Sequence, residues 1–512
     1  MDNNRSAFSL LPDLRVASLR ARAEGFFGSL NVSPVASRLI HGTLWSLLGA
    51  LASRGFNVLV NICIARILGR ENLGELAMIE STLGLFGMLT GFGLGFTATK
   101  YVAEFKLSDP LRAGRILSLA KTITFIMGML MVVAVVVLAP WLAQSTLRRP
   151  ELTPILRIGA ILLLVNSLNM AQSGSLAGFE AFRQIARINL IQGVVGPFVS
   201  LPLVYLYGVK GAVVASIIGS VIGFWLCTRV VRNLCERYNI VSRRFDVSSF
   251  QELPLMWKFS LPALLSQALV GPVAWFCNSM LIRAPEGYSQ LGLFNVANAW
   301  RNQLVFLVGI IPSVLLPILS SEMGDRAAFR RLSYKNLCLM WMLSLPLSVL
   351  SGLAAFLVTT LLYGHQYRDA RYGALSLTAL VFFVAVGGTA GTSVVSEGKM
   401  WLGAIFNFFW AALLIAFCYL FINRLGFMGM ALSYWLAYFF QTILQVGYVL
   451  AKTERSVRSI ARLSVLSLMC LLPIPLMSIR VVGDNIIVTA LIVMMLLSVF
   501  TVREARALMK AA

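Results

Sequence analysis

The sequence predicts an all-α membrane protein of fourteen transmembrane helices, arranged as two six-helix lobes related by a parallel repeat, with two further helices at the C-terminus. Three observations predict it. Of 512 residues, 58% are hydrophobic and only 12% are charged, with a mean hydropathy of +0.81, whereas a soluble domain carries roughly twice that density of charge. The apolar residues fall in runs of about 20, the length a helix needs to cross a bilayer. The first and second halves of the chain also match at one constant offset.

In chain order, residues 1–42 form a polar, basic tail with Arg5, Arg15, Arg20, Arg22 and Arg38, and no short apolar stretch followed by a small-residue cleavage site. Residues 10–22 fit either an amphipathic interfacial helix or a mobile tail. The apolar runs follow at 43–65, 76–98, 116–138, 155–177, 189–207, 212–231, 259–282, 291–317, 337–362, 373–395, 403–422, 429–451, 463–480 and 485–502. Pro197, Pro202, Pro262 and Pro272 lie inside runs. They are compatible with spans because neighbouring helices and water satisfy the freed backbone groups. The longest internal break, 232–258, holds Arg232, Arg237, Arg243, Arg244 and Lys258 and reads as a cytoplasmic connection between lobes 43–231 and 259–451. Residues 452–512 supply spans 13 and 14 and the C-terminal end.

The charge balance, 43 Lys+Arg against 21 Asp+Glu, would suggest nucleic acid in a soluble chain. Here it sorts by compartment. The side holding the N-terminus carries 29 Lys+Arg and the opposite side 10, counting Arg229 and Arg480 at span ends with the sides they border, and Arg54, Lys121, Arg157 and Arg301 lie within spans. The positive-inside rule therefore puts both termini of this multi-pass plasma-membrane protein in the cytoplasm, with the lipid bilayer, not nucleic acid, as its surroundings. External loops are short, the longest at 139–154.

A shift of 218 residues pairs Leu73-Gly74 with Leu291-Gly292, Glu104 with Glu322, Arg112 with Arg330, Asn189 with Asn407, and Gly208 and Gly211 with Gly426 and Gly429. Six spans per copy is an even number, so both copies insert in the same sense. Parallel repeats of this kind characterise transporters that rock one lobe against the other.

Catalytic chemistry has little to work with. The two histidines, His41 and His365, are far apart in sequence; no HEXXH, no GxxxxGK[ST] and no acidic metal cluster occurs, and the seven cysteines show no metal spacing. The chain reads as neither an enzyme nor an ATP-driven pump, with no cofactor and no metal.

Ionisable groups within spans are costly, about 2.5–3.5 kcal/mol for Arg at a helix centre, and so mark candidate sites. Arg54 in span 1 and Arg301 in span 8 either face an aqueous cavity or pair with Glu80, the main intramembrane carboxylate. Asn295, Asn298 and Asn302 recur at i, i+3 and i+7 beside Arg301 on one face of span 8. Glu80 aligns with Asn298 under the 218 shift, so corresponding helices of both lobes present polar groups. Gln267 and Asn278 in span 7, and Asn166, Asn169 and Gln172 in span 4, serve either a site or interhelical hydrogen bonds. Tyr367, Arg368 and Arg371 crowd one external loop, where rings and guanidinium groups suit sugar or phosphate, or form a solvated belt.

The spans, the repeat, the segment IARILGRENLGELAM with Arg66, Leu68, Gly69 and Gly74, and GFGLGFTATKYVAE after it resemble the polysaccharide-export branch of the MOP superfamily, which holds the Wzx-type O-antigen and exopolysaccharide repeat-unit flippases. The resemblance runs from about Thr43 to Val502. It implies a MATE-like fold and a flippase that moves undecaprenyl-diphosphate-linked oligosaccharide from the cytoplasmic to the periplasmic leaflet by alternating access. The implied headgroup site is cationic and lies between the lobes, which fits Arg54 and Arg301, with Asn295, Asn298, Asn302, Gln267 and Asn278 beside them and Glu80 as carrier of a coupling ion. The implied partners are the polyprenyl-diphosphate-linked glycan and polysaccharide polymerase or export proteins. A lipid II flippase of the MurJ type and a MATE-type drug exporter are the alternatives; the chain lacks the basic signature expected of the first in spans 1 and 2 and the buried acids of the second.

Overall fold

The computed structural model describes residues 34–91, 94–241, 247–252, 269–321, 326–451, 467–478 and 483–511. Among them the secondary structure is entirely helical. The helices are α1 (Pro34–Gly91), α2 (Leu94–Phe105), α3 (Pro110–Trp141), α4 (Thr153–Gly159), α5 (Ile161–Gly178), α6 (Phe182–Arg237), α7 (Val270–Leu281), α8 (Gly287–Ser321), α9 (Arg326–Tyr363), α10 (Ala370–Ser396), α11 (Met400–Leu425), α12 (Phe427–Leu450), α13 (Pro473–Ser478) and α14 (Asp484–Ala511). Eight helices among the described residues are long and apolar enough to cross a membrane. Most of the N-terminal tail, part of the 232–258 connection, and the candidate Gln267 lie outside the described residues.

Helix boundaries follow local chemistry. Asp109 caps α3 by accepting the backbone N–H of Arg112 at 3.0 Å, with Pro110 in the first turn, where its missing N–H costs nothing. α1 carries two of the expected spans and breaks between them at Gly69 (φ 75°, ψ 172°). α6 carries the fifth and sixth and breaks at Gly208 (φ 57°, ψ −133°). Residues with a Cβ avoid both conformations.

The 218-residue interval seen in the sequence is also present in the backbone. Gly426, between α11 and α12, has φ 57° and ψ −132°, the geometry of Gly208. Glu180 and Gly398, again 218 apart, both take positive φ (58° and 74°). A Cβ at Gly211 would fall 2.5 Å from the carbonyl carbon of Leu203, and one at Gly429 would fall 2.6 Å from that of Phe421; these four residues form two pairs with the same offset.

Burial separates central from peripheral helices. The apolar stretch of α10 is 89% buried, against 33% for those of α3, α6 and α11, which leave most of that surface outside the protein core. Trp435 is buried against Phe383 and Phe439.

Packing between the halves of the chain runs mainly through α1, against α7 and α8. Gly74 and Gly292 meet at the α1–α8 crossing, where a Cβ on Gly74 would lie 2.7 Å from the carbonyl carbon of Tyr288 and 3.1 Å from the Gly292 nitrogen. Polar contacts collect at that end. Arg149 pairs with Glu71 and Glu75 and lies 4.7 Å over the Tyr288 ring, while the Tyr288 hydroxyl donates to Leu147 O at 2.7 Å. Arg66 donates to the carbonyls of Leu361 and Leu362, and Arg70 pairs with Glu286 at 3.5 Å. Burial pushes the Glu75 carboxyl, in the connection between the first two expected spans, above its ordinary range; the Arg149 guanidinium opposes that rise.

Candidate functional site

α1 and α8 bring Arg54 and Arg301 to the junction of the two halves and into the second half. The Arg54 guanidinium lies 3.8 Å from the ring centre of Phe306 on α8. Arg301 donates to Asn302 Oδ1 at 3.3 Å and stands 5.2 Å from the ring centre of Tyr434 on α12. Cation–π contact satisfies part of each charge, about 0.5–2 kcal/mol depending on desolvation. It leaves guanidinium N–H groups free: Arg301 Nε is buried without an acceptor, and one turn earlier Asn298 Oδ1 is buried without a donor, among the described residues. Asn295 is half-buried and Asn302 exposed along the same helix. Such orphaned groups call for a ligand or water.

Asn278 does different work. Its Nδ2 donates to Ser81 Oγ at 3.0 Å, and one turn away Trp275 Nε1 donates to Thr82 Oγ1 at 3.1 Å, so α7 is hydrogen-bonded to α1. In span 4, Asn166 accepts from Ser220 Oγ at 2.8 Å, Asn169 donates to Ser220 O at 2.9 Å, and Gln172 donates to Thr228 Oγ1 at 3.2 Å. These bonds link helices, while Asn166 also lines the larger cavity beside Glu80 and Asn169 Oδ1 and Gln172 Oε1 are buried without a partner among the described residues.

Glu80 stands apart from the arginines. Among the described residues it makes neither an ion pair nor a hydrogen bond, so the Arg–Glu80 bridge that the sequence allowed is absent from this set. Its side chain instead lines two adjoining cavities inside the first half, of about 250 Å³ and 320 Å³, which share Leu76, Glu80 and Ser216. Neither Arg54 nor Arg301 lines them. Asn57, Asn61, Gln192 and Ser200 complete the polar wall of the smaller one. Sequence reading passed over these four, although Arg54, Asn57 and Asn61 repeat at i, i+3 and i+7, the spacing that singled out span 8.

The loop at 363–372 packs rather than projects. Tyr367 is fully buried and its hydroxyl donates to Ala65 O at 2.8 Å. Arg371 is mostly buried, paired with Asp484 at 2.6 Å and stacked on Phe356 and Tyr372. Only Arg368 of the three presents most of its side chain to solvent. The expectation that Tyr367 and Arg371 offer a receptive external surface is therefore corrected. The Gly69 break lets this turn seat against α1, and Arg371 anchors it to α14.

Long apolar helices with polar groups and open cavities among them define a helical membrane protein with polar internal space. The chain belongs to the polysaccharide biosynthesis protein family, whose model matches residues 63–371. It is 25% identical over 425 residues to the EPS I polysaccharide export inner membrane protein EpsE of Ralstonia nicotianae, covering 80% of this chain and 94% of that one. In fold it is similar to the lipid II flippase MurJ in an inward closed conformation (TM-score 0.67, 15% identity, 90% of this chain and 98% of that one). It is also similar to a multidrug resistance MATE family transporter of the MOP superfamily in its inward-facing conformation (TM-score 0.60, 16% identity, 78% and 96%). The chain is an integral inner-membrane transport protein and not an enzyme.

Proposed function

We propose that the protein is a flippase that carries undecaprenyl-diphosphate-linked oligosaccharide repeat units from the cytoplasmic to the periplasmic leaflet, in the biosynthesis of a cell-surface or exported polysaccharide. The observation that carries this reading is the pair Arg54 and Arg301, each held against an aromatic ring with no carboxylate partner among the described residues, and Arg301 Nε buried there without an acceptor. Fixed guanidinium groups in a low-dielectric setting suit a diphosphate, which they bind through several charge-assisted hydrogen bonds.

In this reading fourteen spans form lobes 43–231 and 259–451 with two added helices, and both termini are cytoplasmic. The end where Arg149, Tyr288 and the Gly74–Gly292 crossing meet is then periplasmic and closed. The headgroup enters from the cytoplasmic side, meets Arg301, Asn298 and Asn302, and is released when the lobes part at the Arg149 end. Glu80 is the proposed carrier of a coupling ion, because it is a carboxylate with no partner among the described residues.

Replacing Arg301 or Arg54 by Ala, at normal expression, tests this. Polymer export falls at least about tenfold for Arg301→Ala, the loss of about 1.4 kcal/mol of binding, and cationic-dye efflux is unaffected in every strain. Full export in both variants overturns the cationic site; dye efflux that depends on the protein points to a drug exporter.

A further inference from the structure

The smaller cavity beside Glu80 is built like a binding site for an uncharged, hydroxyl-rich group. Its volume of about 250 Å³ has room for about eight waters, the space of one monosaccharide ring with its hydroxyls and far more than a bare monovalent cation requires. The polar wall carries amides and hydroxyls, from Asn57, Asn61, Gln192, Ser200 and Ser216, and no cationic side chain. Amides and hydroxyls both donate and accept, as sugar hydroxyls do, whereas a diphosphate beside Glu80 would be repelled. Asn57, Asn61, Glu80 and Ser216 are exposed, so the space is accessible. Ser200 Oγ is buried with no partner among the described residues.

The repeat sharpens the argument. At the offset of 218, Gln192 corresponds to Trp410 and Ser216 to Tyr434, and both aromatic residues are buried in the second half. Where the second half fills the equivalent positions with rings, the first half keeps open, polar space. Arg54 lies one turn before Asn57 on the same face of α1, which puts a cation at the edge of the cavity.

We propose that this first-half cavity receives the sugar next to the diphosphate, while Arg54 and Arg301 hold the diphosphate itself. The proposal rests on the flippase reading above. It divides recognition between the halves: charge is bound at α8 and the edge of α1, and the glycan is bound within the first half. Glu80 hydrogen-bonds a sugar hydroxyl in either protonation state, as acceptor or as donor.

The test uses the purified full-length protein and two probes, a short-chain polyprenyl diphosphate and the same lipid bearing one N-acetylhexosamine, with affinities measured by calorimetry. For the native chain the sugar raises affinity at least about tenfold. Ser216→Tyr, which copies the second-half residue, and Asn57→Leu remove that gain, and continued binding of the sugar-free lipid reports that each variant is folded. Arg301→Ala weakens both lipids equally. A sugar gain that survives Ser216→Tyr and Asn57→Leu overturns the proposal, as does the absence of a gain in the native chain. A gain that Glu80→Gln removes while Ser216→Tyr and Asn57→Leu keep it overturns it in favour of a site formed by the carboxylate alone. Binding of neither lipid overturns the flippase reading and this proposal with it.

Discussion

Replacing Gly74 by Ala probes the joint between the halves with a single methyl group. The added carbon would stand 2.7 Å from the carbonyl carbon of Tyr288, and the corresponding change at Gly292 would put one 2.8 Å from that of Arg70. Carbon atoms rest at about 3.5–4.0 Å and the carbonyl oxygens lie nearer still, so α1 and α8 must separate by at least about 1 Å, and a gap of about 0.5–1 Å already forfeits a quarter to a half of the dispersion energy across it. Overpacking of this kind costs about 1–3 kcal/mol. The displacement also pulls Tyr288 away from Leu147 O and Arg149, so the joint loosens as a unit. The assay is the unfolding midpoint of the purified protein, together with thiol labelling of a cysteine placed at position 291. Gly403→Ala is the control: nothing lies within 4 Å of its added methyl, and in a helix Ala is favoured over Gly by about 0.8–1.0 kcal/mol. The expected result is a lower midpoint and faster labelling for Gly74→Ala, and an equal or higher midpoint for Gly403→Ala. A Gly74→Ala protein with native midpoint and native labelling refutes the close crossing.

Arg149→Ala leaves Glu75 buried beside Glu71 with no cation, and costs about 1–3 kcal/mol once the partial exposure of the cluster is discounted. Because burial already raises the Glu75 carboxyl, its charged form opposes the folded state; the loss is therefore greatest at pH well above its folded pKa and shrinks as pH falls through it, as midpoints across a pH series will report. Gly208→Ala and Gly426→Ala each force a Cβ into the same unfavourable backbone conformation and lower stability by a comparable amount, about 1–3 kcal/mol each, read as matched drops in the midpoint; a free substitution at either glycine contradicts the matched geometry. Asp484→Asn strips Arg371 of its charged partner and lowers stability by about 1 kcal/mol, seen as a lower midpoint, without changing polymer export in cells that retain normal protein levels.

Much of the architecture was legible because it rests on linear signals. Apolar runs mark helices, glycines such as Gly208 and Gly426 mark their breaks, and the 218-residue offset links positions that turn out to share backbone geometry. The polar interior was only partly legible. Helical spacing picked out Asn295, Asn298 and Asn302, and the same rule applied to Arg54 would have reached Asn57 and Asn61. Gln192, Ser200 and Ser216 carry no such signal, since a lone small polar residue on a long apolar helix reads the same whether it borders a cavity or a neighbouring helix. Which partner a charge takes is a tertiary matter: Arg54 and Arg301 found aromatic rings, and Glu80 found open space. The loop residues Tyr367 and Arg371 were misread because their partners, Ala65 and Asp484, lie hundreds of residues and more than a hundred residues away in the chain.

The most direct test of the account is the sidedness of lipid-linked oligosaccharide in membranes of cells lacking this protein. The account predicts accumulation of the lipid-linked repeat unit on the cytoplasmic face, relieved by the native chain and not by Arg301→Ala. A normal distribution across the two leaflets in the absence of the protein would contradict it.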